Sequence, residues 1–363
     1  MKLTWRWLPV LAAVTGVVLV SSGPAGGAWA ASPTSGTGAA IATRAAQQTV
    51  TDHTLSGDET SVSCLTDSLC VAVGSESARP RGTVVTLTNG AQSHAVVLRH
   101  SSVIDSVSCR KSGCWAIGRP LHGTGAYLVK ISSAGRPVAE RTVSVRGTNL
   151  GPISCTSMTS CEIAGADNRI RPAVIEIGDW NGKKLHLHRV TVKGSKRMTM
   201  PGISCWHSGC EAVGSALVGS ARAGLILTTA GGKPARLNAD SAYPYLDSIS
   251  CVSAGTCYAA GGSGSVEKVT RGVVTDSQGG AAGPLSAVEC TASECEAAGT
   301  LLLPQYSTQD GLLQSLSGGT WGAPINDGAA YVFSDVAARG ASGGFIAVGT
   351  GATAAGWTEL VVG

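Results

Sequence analysis

The cysteines are the residues of this chain with the clearest chemical potential. All twelve fall into pairs with four or five residues between the two members. The pairs are Cys64 and Cys70, Cys109 and Cys114, Cys155 and Cys161, Cys205 and Cys210, Cys251 and Cys257, and Cys290 and Cys295. Such pairs could form disulfides, ligate zinc or carry out redox chemistry, although a redox motif has two residues between its cysteines.

Arginines between the cysteine pairs form a second set with chemical potential. A guanidinium group presents forked donors that match carboxylates and phosphates, so arginines that gather on one surface can bind an anion. The six candidates for such a site are Arg79, Arg81, Arg119, Arg169, Arg171 and Arg222.

Motifs for metal, nucleotide or hydrolytic chemistry do not emerge from the sequence. His186 and His188 alternate along one predicted strand, but no third ligand is evident and nearby lysines oppose a cation. Phosphate-binding loops, calcium loops and nucleophile elbows are absent. A glycan-processing enzyme would draw on Glu76, Asp167, Tyr306 and Asp310, which have no recognised catalytic spacing. We therefore nominate no catalytic residue, no metal ligand and no cofactor.

A repeated unit must position these residues. It begins Ser-x-Ser-Cys and ends Cys-x-Ala-x-Gly, and its first cysteines recur every 39 to 50 residues. Ala338 and Phe345 replace the two cysteines in a seventh, degenerate copy. Self-similarity at this period is typical of repeat architectures.

Each copy reads as a four-stranded antiparallel sheet. In the second copy the β-rich runs are Val103 to Cys109, Cys114 to Gly118, Gly125 to Ser132 and Val138 to Val145. Four strands per period suit a propeller blade. The sequence therefore predicts an all-β, seven-bladed β-propeller of four-stranded antiparallel blades over residues 45–363.

The last copy supplies three strands, which end near Val362. We expect a segment around Gln47 to Leu55 to complete blade seven as an N-terminal strand. The paired cysteines then flank the turn between the first and second strands, within disulfide reach. Blades around a ring point these pairs away from one another, which disfavours zinc, so we predict six intrablade disulfides.

The unit resembles one found in secreted actinobacterial β-propeller repeat proteins, in which Ser-Cys, a short turn, Cys-x-Ala-x-Gly and a later Trp-Asn-Gly recur. Trp180-Asn181-Gly182 carries the last element here. The resemblance covers about residues 45 to 363 and implies a propeller outside the cytoplasm. It implies almost no chemistry, because most such proteins have no assigned activity.

The N-terminus has the pattern of an export signal. Lys2 and Arg6 precede an apolar stretch, and Ala28-Trp29-Ala30 supplies small residues for cleavage. We expect residues 1–30 to be a signal peptide and residues 31–44, rich in Ala, Ser, Thr and Gly, to be a disordered linker. The mature chain is then a secreted or wall-associated monomer without a membrane span.

The function predicted from these patterns is extracellular binding without catalysis. Loops between the second and third strands of propeller blades surround the channel mouth, and the six arginines fall in these loops on four consecutive blades. We expect them to bind an anionic cell-envelope polymer or an acidic glycan. Two alternatives stay open: the arginines are there only for solubility, or the scaffold carries a secreted glycan-processing enzyme. Trp206, in a disulfide turn, is a candidate platform for a sugar ring.

Overall fold

The computed structural model describes residues 50–55, 58–76, 79–122, 125–145, 149–302, 309–327, 330–340, 344–351 and 357–362. The expected signal peptide (1–30) and linker (31–44) lie outside the described residues. The regular elements in the described part are β-strands, numbered β1 to β29. No helix in that part is long and apolar enough to cross a membrane.

Six blades are built from consecutive antiparallel strands. Blade one consists of β2 (Asp58–Thr66), β3 (Leu69–Ser75), β4 (Gly82–Thr88) and β5 (Ala91–Val97). Blade two consists of β6 (Ser101–Arg110), β7 (Gly113–Pro120), β8 (Ala126–Ser132) and β9 (Pro137–Val143). Blade three consists of β10 (Asn149–Ser157), β11 (Ser160–Asp167), β12 (Val174–Trp180) and β13 (Leu185–Thr191).

The next three blades continue the same order along the chain. Blade four consists of β14 (Ser195–Trp206), β15 (Gly209–Val218), β16 (Ala221–Ala230) and β17 (Lys233–Asp240). Blade five consists of β18 (Ser248–Ser253), β19 (Thr256–Gly261), β20 (Ser265–Thr270) and β21 (Val273–Gly279). Blade six consists of β22 (Leu285–Cys290), β23 (Glu294–Leu302), β24 (Gln309–Ser317), β25 (Thr320–Trp321) and β26 (Ile325–Asp327).

The chain ends share one further sheet, which we call the closing sheet. It comprises β27 (Ala330–Ala338), β28 (Phe345–Gly351), β29 (Trp357–Val362) and β1 (Val50–Leu55). β1 pairs antiparallel with β29, where the sequence placed the N-terminal strand. Residues of β27 and β28 pack into apolar clusters with blade one on one side and blade six on the other.

The predicted all-β propeller of four-stranded antiparallel blades is confirmed, but the predicted number of seven blades is wrong. The structure has six blades, each made by one stretch of chain and each with a disulfide. The seventh copy forms no blade of its own, because its three strands are joined by β1 from the other end of the chain. Blade six has five strands, since Pro324 has no N–H to donate and the outer position is divided between β25 and β26.

The burial of the strands explains their composition. The two central strands of a blade are apolar on both sides because neighbouring blades cover both faces: β8 is almost wholly buried, whereas the outer strand β9 is almost wholly exposed. Clusters of valine, leucine, isoleucine and alanine fill the space between blades, for example between blades three and four. The core is therefore distributed around the ring.

The predicted intrablade disulfides are confirmed. All six join the first and second strands of their own blade, and the bonded cysteines are direct partners in register. Their Cα atoms are 3.9 to 4.0 Å apart. The disulfides mark one edge of the blades, which also carries the turns between third and fourth strands; we call it the disulfide edge. The connections between second and third strands lie at the opposite edge, called the arginine edge below.

The closing glycine of Cys-x-Ala-x-Gly is required by a close approach of two strands. A Cβ atom on Gly118 would lie 2.0 Å from the backbone oxygen of Val103 in the first strand of the same blade. The equivalent atom on Gly214 would lie 1.9 Å from the backbone oxygen of Thr199. Both glycines lie beside register shifts in the first strand, where the backbone bends toward the second.

Candidate functional site

The first strands of the blades and of the closing sheet surround a central cavity of about 670 Å³. Its wall includes residues of β2, β6, β10, β14, β18, β22 and β27. The cavity is therefore the channel of the propeller, lined by the Ser-x-Ser part of the repeated unit.

Serine hydroxyls of the repeated unit join adjacent blades around this channel. The backbone N–H of Val107 donates to Ser61 Oγ at 3.2 Å, and that of Cys109 donates to Ser63 Oγ at 3.0 Å. The same contacts recur in later blades, always from one blade to the next. They link Ser106 to Ile153, Ser108 to Cys155, Ser154 to Cys205, Ser204 to Cys251, Ser248 to Val288 and Ser250 to Cys290. The serines of the motif are thus interblade acceptors.

Two carboxylates replace these serines where the ring closes. Asp335 takes the place of a first serine and accepts hydrogen bonds of 2.9 Å from the backbone N–H groups of Val62 and Val336. It therefore joins the closing sheet to blade one as Ser61 joins blade one to blade two. Burial raises the pKa of Asp335 to about 6, even though these hydrogen bonds and one from Ser61 oppose the shift.

Glu289 takes the place of a second serine and lies on the same cavity wall. Burial raises its pKa to about 7, and the charge of Asp335 adds to the shift. A hydrogen bond with Ser250 and the charge of Arg110 act in the opposite direction. Sequence reasoning missed both carboxylates. Their signal was present, because they stand where the other copies have serine.

The mouth of the channel has charges of both signs. Arg119 donates from Nη2 to Asp105 at 3.0 Å, and both residues line the cavity. This ion pair raises the pKa of Arg119. Asp247 also lines the cavity. Burial raises its pKa, and the charge of Arg222 opposes part of this shift. Of the six predicted arginines, only Arg119 lines this cavity.

The remaining predicted arginines lie at the arginine edge with neighbours of their own. Arg169 pairs with Asp167 at 3.5 Å, and Arg171 donates to the backbone oxygen of Lys196. The guanidinium of Arg222 lies 4.6 Å from the ring centre of Tyr245. Arg79 is exposed and Arg81 is half-buried, both between β3 and β4. The structure thus spreads the six side chains along one edge of four blades.

The residues considered for glycan processing do not meet in the channel. Glu76 follows β3, Asp167 ends β11 and Asp310 lies in β24, so they belong to different blades. None of these three lines the channel cavity. Tyr306 lies outside the described residues.

His186, His188 and two of the tryptophans lie on strands of blades two and three. His186 and His188 lie in β13, and no group of three or more His, Cys, Asp or Glu residues in the described part of the chain could hold a metal ion. Trp115 and Trp180 are buried in one apolar cluster, with edge-to-face rings 5.3 Å apart. Both side chains therefore pack in the apolar interior. Trp206 is partly exposed and lines a smaller cavity, described below.

No family model matches the chain. No curated protein matches it either. Its fold is nevertheless similar to solved structures. The WD40 β-propeller domain of Doa1 aligns with a TM-score of 0.58 and 11% identity, over 85% of this chain and 93% of that one. The β-propeller domain of Cps50 (Swd1) from Myceliophteria thermophila aligns with a TM-score of 0.59 and 10% identity, over 86% of this chain and 99% of that one. At these identities the likeness establishes the propeller fold alone.

Proposed function

We propose that this protein is a non-catalytic extracellular binding protein that recognises an anionic polymer through its arginine edge. The observation that carries the proposal is the position of the six arginines, which lie in or directly beside the connections between second and third strands of four consecutive blades. A row of cationic groups along one edge matches a ligand with repeated negative charges better than it matches a small anion.

The local contacts of these arginines favour binding. Arg119 and Arg169 each have a carboxylate partner, yet their side chains are 62% and 63% exposed. A guanidinium has five N–H donors, so one aspartate leaves donors for a ligand while it limits the motion of the side chain. Tyr245 holds Arg222 in a comparable way. The cost of ordering these side chains on binding is thereby reduced.

The cysteines support an extracellular location. Disulfides persist in oxidising compartments, and six of them agree with an exported protein whose N-terminal residues 1–30 are removed. The ligands encountered there include anionic cell-envelope polymers and acidic glycans. A monomer suffices for this function, since one chain supplies the whole row of arginines.

The proposal is tested with two matched double variants. Arg119→Gln/Arg169→Gln removes two charges at the arginine edge, and Arg136→Gln/Lys233→Gln removes two exposed charges at the disulfide edge. Binding of teichoic acid, polygalacturonate and duplex DNA is measured at low salt. We expect at least one of these polymers to bind, and the first variant to bind it at least ~10-fold more weakly than the second.

Equal effects of the two double variants, or no binding by any of the three polymers, would contradict the proposal. Thermal unfolding of each variant shows whether the fold is retained. Glutamine is chosen because a negative charge at residue 119 would repel Asp105 and disturb the fold.

A further inference from the structure

A second cavity, of about 340 Å³, lies between blades three and four at the disulfide edge. Its walls come from the β10–β11 and β12–β13 turns of blade three and the β14–β15 and β16–β17 turns of blade four. Its volume is within the range of about 300 to 1,000 Å³ that is typical of small-molecule sites. It is separate from the channel and from the arginine edge.

Two carboxylates face each other across neighbouring strands in this cavity. Glu162 of β11 and Asp179 of β12 are direct partners in register, and both line the cavity. Like charges directly opposite each other destabilise a sheet. The fold does not require this pair, because Glu211 has Thr228 as its partner at the corresponding position of blade four.

The other copies show what a purely structural glutamate does at this position. Thr228 donates to Glu211 Oε2 at 2.9 Å, and Ser315 donates to Glu296 Oε2 at 2.7 Å. In each case a hydroxyl on the next strand donates a hydrogen bond to the buried carboxylate. Blade three has Asp179 instead of that hydroxyl, so an acceptor stands where the fold elsewhere uses a donor.

Glu162 is held in place by blade four. Its Oε2 accepts a hydrogen bond of 2.6 Å from Thr229 Oγ1, and the backbone N–H of Gly232 also donates to its carboxylate. Burial raises the pKa of Glu162, and the charge of Asp179 adds to the shift. Asp179 itself is half-buried and lies against Gly232, where an added Cβ atom would be 3.1 Å from the Asp179 side chain.

An aromatic ring forms another wall of the cavity. Trp206 lies in the disulfide turn of blade four, half-buried, with one part against an apolar cluster and another toward the cavity. Gly209 opposite allows this arrangement, because a Cβ atom there would lie 3.1 Å from the indole ring. The same position in the other copies is Leu65, Arg110, Thr156, Val252, Thr291 or Arg339. The tryptophan is therefore particular to blade four.

The side-chain amide of Asn181 provides the cavity with a hydrogen-bond donor whose orientation is fixed. Its Oδ1 accepts hydrogen bonds of 3.0 and 2.9 Å from the backbone N–H groups of Lys183 and Lys184. These bonds fix the side chain and leave the amide nitrogen as its other polar group. Hydroxyls of Thr159, Ser160 and Ser208 complete a largely polar wall.

We propose that this cavity binds a saccharide. A pyranose ring presents hydroxyl donors, which the carboxylates of Glu162 and Asp179 can accept, and a face of C–H groups, which can pack on the indole of Trp206. The Asn181 amide can donate to a ring or hydroxyl oxygen. This combination of an aromatic face with fixed acceptors and a donor has no role in the repeated fold, since the other copies lack it.

The test uses four tetrasaccharides: cellotetraose, maltotetraose, tetra-N-acetylchitotetraose and the tetramer of glucosamine. Binding is followed by titration calorimetry and by tryptophan fluorescence. We expect at least one to bind with a Kd below about 1 mM. Asp179→Asn and Trp206→Ala should each weaken that binding by at least ~10-fold, and Trp206→Phe by less.

Matched controls are Asp276→Asn, which removes an exposed carboxylate from blade five, and Trp321→Phe, which changes a tryptophan in blade six. Both should bind as the unchanged chain does, and Trp321→Phe should keep the fluorescence response. The proposal fails if no tetrasaccharide binds with a Kd below about 1 mM, or if either Asp179→Asn or Trp206→Ala retains full affinity. The Arg119→Gln/Arg169→Gln variant should bind saccharide normally, so failure of this site and failure of the arginine edge are distinguishable.

Discussion

The backbone N–H of Cys155 donates a hydrogen bond of 2.9 Å to the side-chain oxygen of Ser108, which lies 47 residues earlier in the preceding blade. Equivalent bonds occur between the other blades, so the motif that first identified the repeat also joins its copies. The cysteine and the serine of Ser-Cys thus have separate roles. The cysteine closes its own blade, and the serine accepts a hydrogen bond from the next.

Replacement of Ser108 by alanine should lower the free energy of unfolding by about 1 to 3 kcal/mol. The reason is that the buried N–H of Cys155 loses its acceptor. Chemical denaturation measures the change, and Ser133→Ala, at an exposed turn residue of the same blade, is the control. Equal stability of the two variants would show that the interblade bond contributes little.

Gly118→Ala should destabilise the protein by at least ~3 kcal/mol. The added methyl group would overlap the backbone oxygen of Val103, which cannot move without breaking the pairing of β6 and β7. Gly279→Ala is the matched control, since nothing lies within 4 Å of a Cβ atom there. Urea denaturation of the two variants should separate them clearly. A Gly118→Ala protein as stable as the control would refute the steric explanation of the motif glycine.

Removal of one disulfide should cost about 2 kcal/mol, because each closes a loop of only five or six residues. The Cys109→Ser/Cys114→Ser variant tests this value by denaturation under oxidising conditions. Addition of a reductant to the unchanged chain should lower its melting temperature by more than this single loss does. A melting temperature that does not respond to reductant, with reduction verified by mass, would contradict the prediction.

Stability should fall as the pH rises from about 4.5 toward 8, and Glu59 should contribute to this fall. This residue is fully buried beneath Thr83, and burial raises its pKa from 4.5 to about 8. The folded protein then binds a proton that the unfolded chain releases, so the stabilisation is complete below pH 4.5 and is lost as the pH passes 8.

Glu59→Gln should reduce this pH dependence by a few kcal/mol, and the remainder belongs to other buried carboxylates such as Glu289 and Asp335. The measurement is the free energy of unfolding at pH 5 and at pH 8, with Asp276→Asn as a control at an exposed carboxylate. A variant that loses as much stability between the two pH values as the unchanged chain would show that Glu59 titrates normally.

Much of the fold could be predicted from local pattern. In blade two the predicted strands and the observed strands β6 to β9 agree to within a few residues at each end. Turn residues and alternation of apolar side chains are local properties, and they fix such elements. The number of blades could not be predicted in this way. Whether the last copy forms a blade of its own depends on contacts between the two ends of the chain.

The candidate sites could likewise be predicted only in part from the sequence. The arginines could be assigned to one edge from the sequence, because the strands of a blade alternate in direction and a connection between second and third strands can lie only at that edge. Their pairing with Asp105, Asp167 and Tyr245 could not be predicted, since these contacts depend on side-chain geometry. Asp335 and Glu289 were visible in the sequence as departures from the serine motif. Only the structure shows that both line the channel and that the charge of Asp335 raises the pKa of Glu289.

The sequence by itself determined the blade, its disulfide and its seam with the next blade, because all three follow from a short pattern that recurs. The tertiary structure alone decided how many blades form and which side chains of different blades meet. Glu162 and Asp179 lie on neighbouring strands of blade three, and the Trp206 that completes their cavity belongs to blade four. The proximity of these residues depends on the packing of one blade against another, so the sequence of a single copy cannot predict it.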